Sequence, residues 1–398
     1  MKNRIEIESI VNKCIKCGFC ESVCPTLPAA DYNSIIGARG RILLAQFAIN
    51  NESQQLKIGD SFYSCLDCYA CVQVCPAGIN AGIVSELMKE GIADENSSEK
   101  NPVAEMIKSV VIKFKNPLGI PGECSRWAED IEFDTSETII LTGDMYQLMP
   151  YTRYINKLRK YMDKNIFMAF ARLIVKKPYI IKLSRHFYDR KLKSKMESSL
   201  KNIVSMLKKS DVKFNYLRED EPYPGTFLYD LGYRNEFTEY ARELYDNLKS
   251  KNVKRIICVD PHTFDILKNK YPEVIENFDL DIVYYTDLLN LNFRKTKEKI
   301  TVQEPCHMVL HGNTYRGMDI LNNVADVKLP PESGKNTMCC GGPDELLFPE
   351  ISENVSGERY RNLKNISRKI VTICPLCYNN LSYDEDVQDF SDFVKNLI

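Results

Sequence analysis

No apolar run in these 398 residues approaches the eighteen or so that a membrane-spanning helix needs, so no helical span is expected. No signal-peptide pattern opens the chain either. Residues 1–13 (MKNRIEIESIVNK) alternate charged and apolar groups, and a reducing, cytoplasmic-side compartment is expected. There is no serine triad, no P-loop and no dinucleotide glycine fingerprint. Gly341-Gly342-Pro343 is not followed by the Gly-Lys-Ser/Thr of a phosphate loop. No motif for binding flavin, nicotinamide or an obvious organic substrate is present, so a partner is expected to oxidise the substrate. Tryptophan occurs once, at Trp127, and is read as a packing residue. A net charge of −1 shows no overall bias, but residues 151–210 hold seventeen Lys or Arg against three Asp or Glu.

Cysteine, by contrast, is abundant: fifteen residues, most of them in patterns. Cys14, Cys17, Cys20 and Cys24-Pro25 form the run C-x2-C-x2-C-x3-C-P, and Cys65, Cys68, Cys71 and Cys75-Pro76 repeat it. Bacterial-type ferredoxins use this run to hold [4Fe–4S] cubanes. Three thiolates wrap one corner of a cluster, and the fourth, turned away by the proline, ligates the other. The expected ligand sets are Cys14, Cys17, Cys20 and Cys75 for one cubane, and Cys65, Cys68, Cys71 and Cys24 for the other. Two zinc sites or a disulfide framework are the competing readings. Zinc needs only four ligands and usually a longer gap between ligand pairs.

The first ~95 residues read as a helical ferredoxin domain, with helices at Gly37–Ala48 and Ile83–Lys89. Polar Glu90–Asn101 reads as a linker. Asn116-Pro117-Leu118-Gly119 with Trp127 reads as a connector packed on the next domain, within 96–135. Beyond residue 136, short β-branched runs alternate with helical patterns, which predicts α/β units with parallel sheets. The expected strands are Thr138–Leu141, Lys213–Tyr216, Arg255–Val259, Ile282–Tyr285, Ile300–Gln303, Asp326–Leu329 and Lys369–Ile373. Helices are expected at Phe237–Ser250 and Met318–Val324, among others.

Cys306, Cys339-Cys340-Gly341-Gly342 and Cys374-Pro375-Leu376-Cys377 form a second constellation. Each cysteine follows an expected strand or sits in a glycine or proline turn. The carboxyl ends of parallel strands converge on one rim, so five thiols from three loops can meet there. Glycines after Cys340 let backbone approach a cluster closely.

Glu304-Pro305-Cys306-His307, Cys339-Cys340-Gly341-Gly342-Pro343 and Cys374-Pro375-Leu376-Cys377 resemble the three blocks of the cysteine-rich CCG family. That family includes heterodisulfide reductase B and D subunits and the iron–sulfur subunits of anaerobic glycerol-3-phosphate dehydrogenase and of glycolate and lactate oxidases. The double ferredoxin run and the Asn-Pro-Leu-Gly…Trp connector are similar as well. The resemblance implies a third iron–sulfur cluster, in some members a noncubane [4Fe–4S] centre, on Cys306, Cys339, Cys340, Cys374 and Cys377. It also implies two CCG repeats, here 136–290 and 291–398. The first departs from the pattern. Gly143-Asp144, Tyr223-Pro224-Gly225 and Asp260-Pro261-His262-Thr263 stand where ligands belong, and carboxylates and one imidazole are poor soft ligands. The first repeat is therefore expected to be degenerate and cluster-free.

His307 and His311 flank the cluster strand, and His307 is a candidate for tuning the cluster or relaying a proton. His262 and His186 are read as surface or capping residues, Cys124 and Cys258 as buried structural thiols, and Arg39 and Arg41 as solvated or partner-facing. A basic insertion, 155–199, interrupts the first repeat. Within it, Ile166–Val175 is apolar apart from one arginine and Tyr179–Lys195 is patterned, between helices at Tyr151–Lys160 and Leu200–Lys209. That composition suits an anionic membrane surface. The alternatives are a solvated helix pair or an acidic partner; nucleic acid is not expected. The resemblance implies an electron-transfer subunit passing electrons from a partner flavoprotein dehydrogenase (glycerol-3-phosphate, glycolate or lactate type) to quinone or a similar acceptor. Disulfide reduction at the CCG cluster is the rival.

Overall fold

The two cysteine runs are held together by helices whose small and branched residues face one another. The computed structural model describes residues 3–50, 58–94 and 100–398. α1 (Arg4–Val11), α2 (Ala38–Asn50) and α3 (Ala81–Asp94) pack mutually, burying Ile7, Ile42, Ala45, Val84 and Met88. α2 begins against the chain before it: a Cβ on Gly40 would meet the Ser34 carbonyl oxygen at 1.8 Å, so only glycine fits.

The first five residues of the expected linker Glu90–Asn101 are helical instead. Glu90–Asp94 complete α3, and residues 95–99 of that segment lie outside the described residues. Polarity misleads here because the charges are buried and paired: Lys89 Nζ lies 2.6 Å from Asp67, and Glu90 accepts from Asn3 at 2.6 Å. Asn101 caps α4 (Pro102–Phe114), its Oδ1 accepting from the backbone N–H of Val103, with Pro102 in the first turn. The connector packs as expected. Asn116 accepts from Leu118 and Ile120 N–H and donates to Asp144 at 2.7 Å, while buried Trp127 donates to the Tyr216 hydroxyl.

Next comes a three-stranded parallel sheet, ordered β1 (Thr138–Leu141), β2 (Arg255–Cys258), β3 (Asp281–Tyr284). The expected strand Lys213–Tyr216 shrinks to one parallel bridge, Asn215 to Ile139, on the free edge of β1. Asn215 bonds to both sides of Ile139, but its own side chain then accepts the Tyr216 N–H and ends the ladder. The second sheet has four parallel strands in the order β5-β4-β6-β7, from β4 (Lys299–Gln303), β5 (Asp326–Val327), β6 (Lys369–Thr372) and β7 (Val387–Asp389). With the bridge counted, both sheets share one strand order. β5 stops at Val327, two residues short of expectation.

Between β1 and the bridge lies the basic insertion. α5 (Met145–Arg159) runs longer than expected, and Asp163 caps α6 (Lys164–Lys176). Lys177-Pro178 ends α6. Pro178–His186 then forms 3₁₀ turns, and one helix, α7 (Arg190–Lys209), replaces the expected Tyr179–Lys195 and Leu200–Lys209 patterns. Asp189 resets the start by accepting the Leu192 N–H. α8 (Arg234–Ser250) flanks the first sheet, and α9 (Pro349–Ile366) and α10 (Pro375–Leu381) flank the second. Among the described residues no helix is long and apolar enough to cross a membrane.

Candidate metal centres

The two ferredoxin-type runs share one backbone path. Lys16 and Gly18 in the first, and Asp67 and Tyr69 in the second, all have positive φ at equivalent positions, curling each loop around its sulfurs. Cys14, Cys17, Cys20 and Cys75 line a cavity of about 30 Å³; Cys24, Cys65, Cys68 and Cys71 line another of about 20 Å³. Backbone N–H groups aim at the sulfurs, from Ala81 to Cys71 and from Ile79 to Cys75, both at 3.3 Å. Burial pushes the Cys20 and Cys65 thiols up to about 12. Cys17 lies exposed at the outer end, with Ile15 and Phe19 uncovered beside it.

Arg41 corrects the sequence reading, for it is buried rather than solvated. Its Nε donates to the Ser61 carbonyl at 2.7 Å and its Nη2 to that of Ser64 at 2.9 Å. Nη1 reaches Thr26 at 3.2 Å and Cys24 Sγ at 3.8 Å. Burial opposes its charge, but Cys65 and Cys24 nearby raise its pKa above the ordinary arginine value. Arg39 stays partly exposed, 3.7 Å from Glu21.

In the second sheet, Cys306 and Cys374 follow the adjacent strands β4 and β6, and Cys339-Cys340 lie in the loop beyond β5. Side-chain contacts link Cys306 to Cys339, Cys339 to Cys340, Cys340 to Cys377 and Cys377 to Cys374, a continuous chain of five sulfurs. Gly341 is required at φ 81°, and a Cβ on Gly342 would meet Leu376 at 2.4 Å. Buried Arg359 donates Nε to Gln303, while Nη1 and Nη2 have no hydrogen-bond partner; Cys377 and Cys340 are among its electrostatic neighbours. An all-thiol, soft donor set beside a guanidinium with two unpartnered nitrogens fits an anionic iron–sulfur group. This site abuts the second ferredoxin-type site, since Cys68, Cys306 and Cys339 share one apolar cluster with Leu66, Ala70 and Val355.

The first sheet offers no such set. A Cβ at Gly143 would meet Thr263 Oγ1 at 1.8 Å, so those atoms fill the equivalent space. Asp260 caps the following turn through the His262 and Thr263 N–H groups. Glu221, pushed up to about 7 by burial, accepts from the Tyr216 hydroxyl. Cys124 and Cys258 are buried, as expected, and His186 is exposed.

His262 is a further correction, being buried with its ring centroid 4.0 Å from that of His307. His307 and His311 both turn Nδ1 to Asp265 Oδ2, at 2.9 and 2.7 Å, and His311 Nε2 lies 2.9 Å from the Asp67 carbonyl oxygen. The network joins the ferredoxin-type region to both sheets. Burial alone would push Asp265 up, but the two imidazoles hold it well below the usual carboxylate range. Against burial, Asp265 holds His311 at about 9. His307 is pulled down by burial and is the neutral partner.

The family described as 4Fe-4S dicluster domain matches residues 10–79, and the cysteine-rich domain family CCG matches residues 300–382. The chain is an iron–sulfur protein with a dicluster ferredoxin domain and a CCG domain. The CCG match covers the five clustered thiols and strands β4 to β6 of the second sheet, ending before β7. It stops short of the first sheet. The chain is 22% identical to the D-type subunit of the dihydromethanophenazine:CoB–CoM heterodisulfide reductase of Methanosarcina barkeri, over 98% of this chain and 92% of that one. It is 20% identical to a probable membrane-anchored ferredoxin of Chromohalobacter salexigens, over 92% of this chain and 55% of that one. It is 28% identical to the EtfAB:quinone oxidoreductase of Syntrophomonas wolfei, over 44% and 27%. The chain thus spans about half the length of the membrane-anchored relative and about a quarter of the quinone-linked one. No solved structure matches.

Stability should depend on pH in a stated direction. Burial pushes Asp230 and Asp344 up to about 8, and Glu345 up to about 7. Each therefore contributes stability that is full below the unfolded carboxylate pKa and is lost as pH rises through 7 to 8. His311 acts with the same sign, its contribution being lost as pH rises through about 9. The chemical-denaturation midpoint of anaerobic protein should fall from pH 6 to pH 9; a midpoint that rises over that window contradicts the assignment.

Proposed function

We propose that this chain is the electron-transfer subunit of a flavoprotein oxidoreductase, carrying electrons from a partner's flavin to quinone. The observation that carries the reading is the order of the three thiol sites. The first opens at exposed Cys17, the second adjoins it through Cys20 and Cys71, and the third adjoins the second through Cys68 and Cys306. We assign Cys14, Cys17, Cys20 and Cys75 to one [4Fe–4S] cubane and Cys24, Cys65, Cys68 and Cys71 to the next. Cys306, Cys339, Cys340, Cys374 and Cys377 hold a third cluster. When bound, these centres supply one-electron transfer, which lets a two-electron donor deliver electrons singly. The chain's residues set the environment. Arg41 and Arg359 place positive charge beside the second and third sites, and the His311–Asp265–His307 network fixes the dicluster domain against the sheets. The uncovered Ile15 and Phe19 beside Cys17 give a donor flavoprotein an apolar footing.

α6 supports docking on an anionic membrane face. It exposes Ile166 at 61%, Phe170 at 47% and Leu173 at 41%, along one stripe flanked by Lys164, Arg172 and Lys176. Tyr179, Leu183 and Phe187 extend the apolar surface. Changing Ile166, Phe170 and Leu173 together to Asp should cut co-sedimentation with anionic liposomes by at least about tenfold, leaving the iron content unchanged. Wild-type protein that ignores such liposomes at low salt contradicts the membrane docking.

The function is tested by anaerobic reconstitution with the flavoprotein that co-purifies. Quinol formation should depend on this chain and on that partner. The near-complete coverage of a heterodisulfide reductase subunit favours a second reading, disulfide reduction at the CCG site. Turnover of a thiol heterodisulfide without quinol formation selects it.

A further inference from the structure

A cleft of about 820 Å³ opens between the basic insertion and the CCG domain, bounded by α5, α6, α9 and α10. Its size is that of a small-molecule site. Its floor belongs to the shell of the five thiols. Asn379 and Asn380 follow Cys377 in α10, and Asn380 Nδ2 donates to the Cys340 carbonyl oxygen at 3.0 Å. Its wall is apolar at Phe167, Leu347, Phe348 and Ile351, and Met162 at its mouth continues into the exposed stripe of Ile166, Phe170 and Leu173. A ligand arriving along that stripe is lipophilic.

Glu345 is the unusual residue of the cleft. It also borders a cavity of about 70 Å³ that Asp67, Lys89, Asp230, Asp344 and His262 line as well. Its walls are mostly apolar, and Asp230 and Asp344 on them, both pushed up to about 8 by burial, are carboxyls that hold a proton at neutral pH. Asn379 Nδ2 donates to Glu345 Oε1 at 2.6 Å, and Arg153, whose Nε donates to Asn379, is a cation close enough to oppose the effect of burial on Glu345. Of the other charges lining the cleft, Lys160 pairs with Glu353 at 2.8 Å, Lys157 with Asp189 at 2.7 Å and Arg159 with the Leu346 carbonyl, while Lys164 and Glu350 also line it.

We propose that this cleft binds the quinone headgroup and that Glu345 hands it protons drawn from the adjoining cavity. The inference rests on the quinone reading above and locates its site. With a cluster bound by its five thiols, the CCG site would supply the quinone's two electrons, which come from the donor flavin. Each carbonyl oxygen gains one proton through the Glu345 carboxyl, which is reprotonated from the cavity between transfers, giving quinol. Burial keeps Glu345 protonated up to about pH 7, in the range where a general acid is most effective.

The direct test is photolabelling of the anaerobic holoprotein with an azidoquinone. Label is expected in peptides covering 156–167 and 345–356, displaced by plain quinone and largely lost in Ile351→Trp, which fills the cleft. Label elsewhere overturns the site while leaving the quinone reading intact; no quinone binding anywhere sinks both. Glu345→Gln should retain the label but slow quinone reduction about a hundredfold and flatten its pH profile. Transfer to a ferricenium acceptor, which takes no proton, should be unchanged. Quinone reduction by Glu345→Gln at the wild-type rate, with the wild-type profile, overturns the proton role.

Discussion

Arg41→Leu should yield a protein that loses iron from the dicluster domain and unfolds in markedly less denaturant. The guanidinium gathers Ser61 and Ser64 from the segment before Cys65, Thr26 from the turn after Cys24, and the Cys24 sulfur itself. It thereby ties together the two ends of the Cys24, Cys65, Cys68 and Cys71 set. Leucine leaves the buried Ser64 carbonyl without its donor, removes one of two donors from that of Ser61, and takes a cation from beside Cys24 and Cys65. Breaking such a buried charged network costs about 3–5 kcal/mol, and each orphaned acceptor adds to that. Arg41→Lys keeps the charge but lacks the planar fork and should fall between. Iron analysis and denaturation under argon measure both effects. Full iron content with an unshifted midpoint in Arg41→Leu would show that this arginine has no such part.

Cys340→Ser should remove the third centre and spare the other two. Cys340 stands in the middle of the five-sulfur chain, touching Cys339 and Cys377. Its loop is pinned by Gly341 and Gly342, which no larger residue replaces. Serine keeps the volume but not the soft thiolate. Iron should drop by about four per chain, one cluster's worth. The EPR signals of the dicluster domain should persist, and the partner flavoprotein should still reduce them. Quinone reduction should be lost. Unchanged iron content would mean that Cys340 is not a ligand; loss of all iron would mean that the domains fold only as one unit around the third site.

The parts of this molecule that are legible in the sequence are those written in fixed spacing. The two cysteine runs, the CCG thiols, the Asn116 connector and six of the seven expected strands recur in the structure, with ends shifted by a few residues. Spacing carries them because sulfur geometry and strand period are local. What escapes is tertiary. Glu90–Asp94 read as a linker because composition shows charge but not whether the charge is paired. Arg41 reads as a surface cation for the same reason, and Arg359 gives no signal. His262 and Asp265 follow β2 of the first sheet and meet His307 and His311, which follow β4 of the second; Asp265 and His307 lie 42 positions apart, so no local pattern announces the network. Asn215 defeats a β-branched strand pattern with one side-chain bond. Glu345 carries no signal at all; its place on both the cleft and the adjoining cavity exists only once α5 packs on α10.

The measurement that bears most directly on the whole account is metal and sulfide analysis, with EPR, of protein isolated without exposure to air. Three four-iron centres predict about twelve irons per chain, with sulfide to match and magnetically interacting clusters on reduction. A colourless protein, or one carrying zinc on its thirteen patterned cysteines, would contradict it.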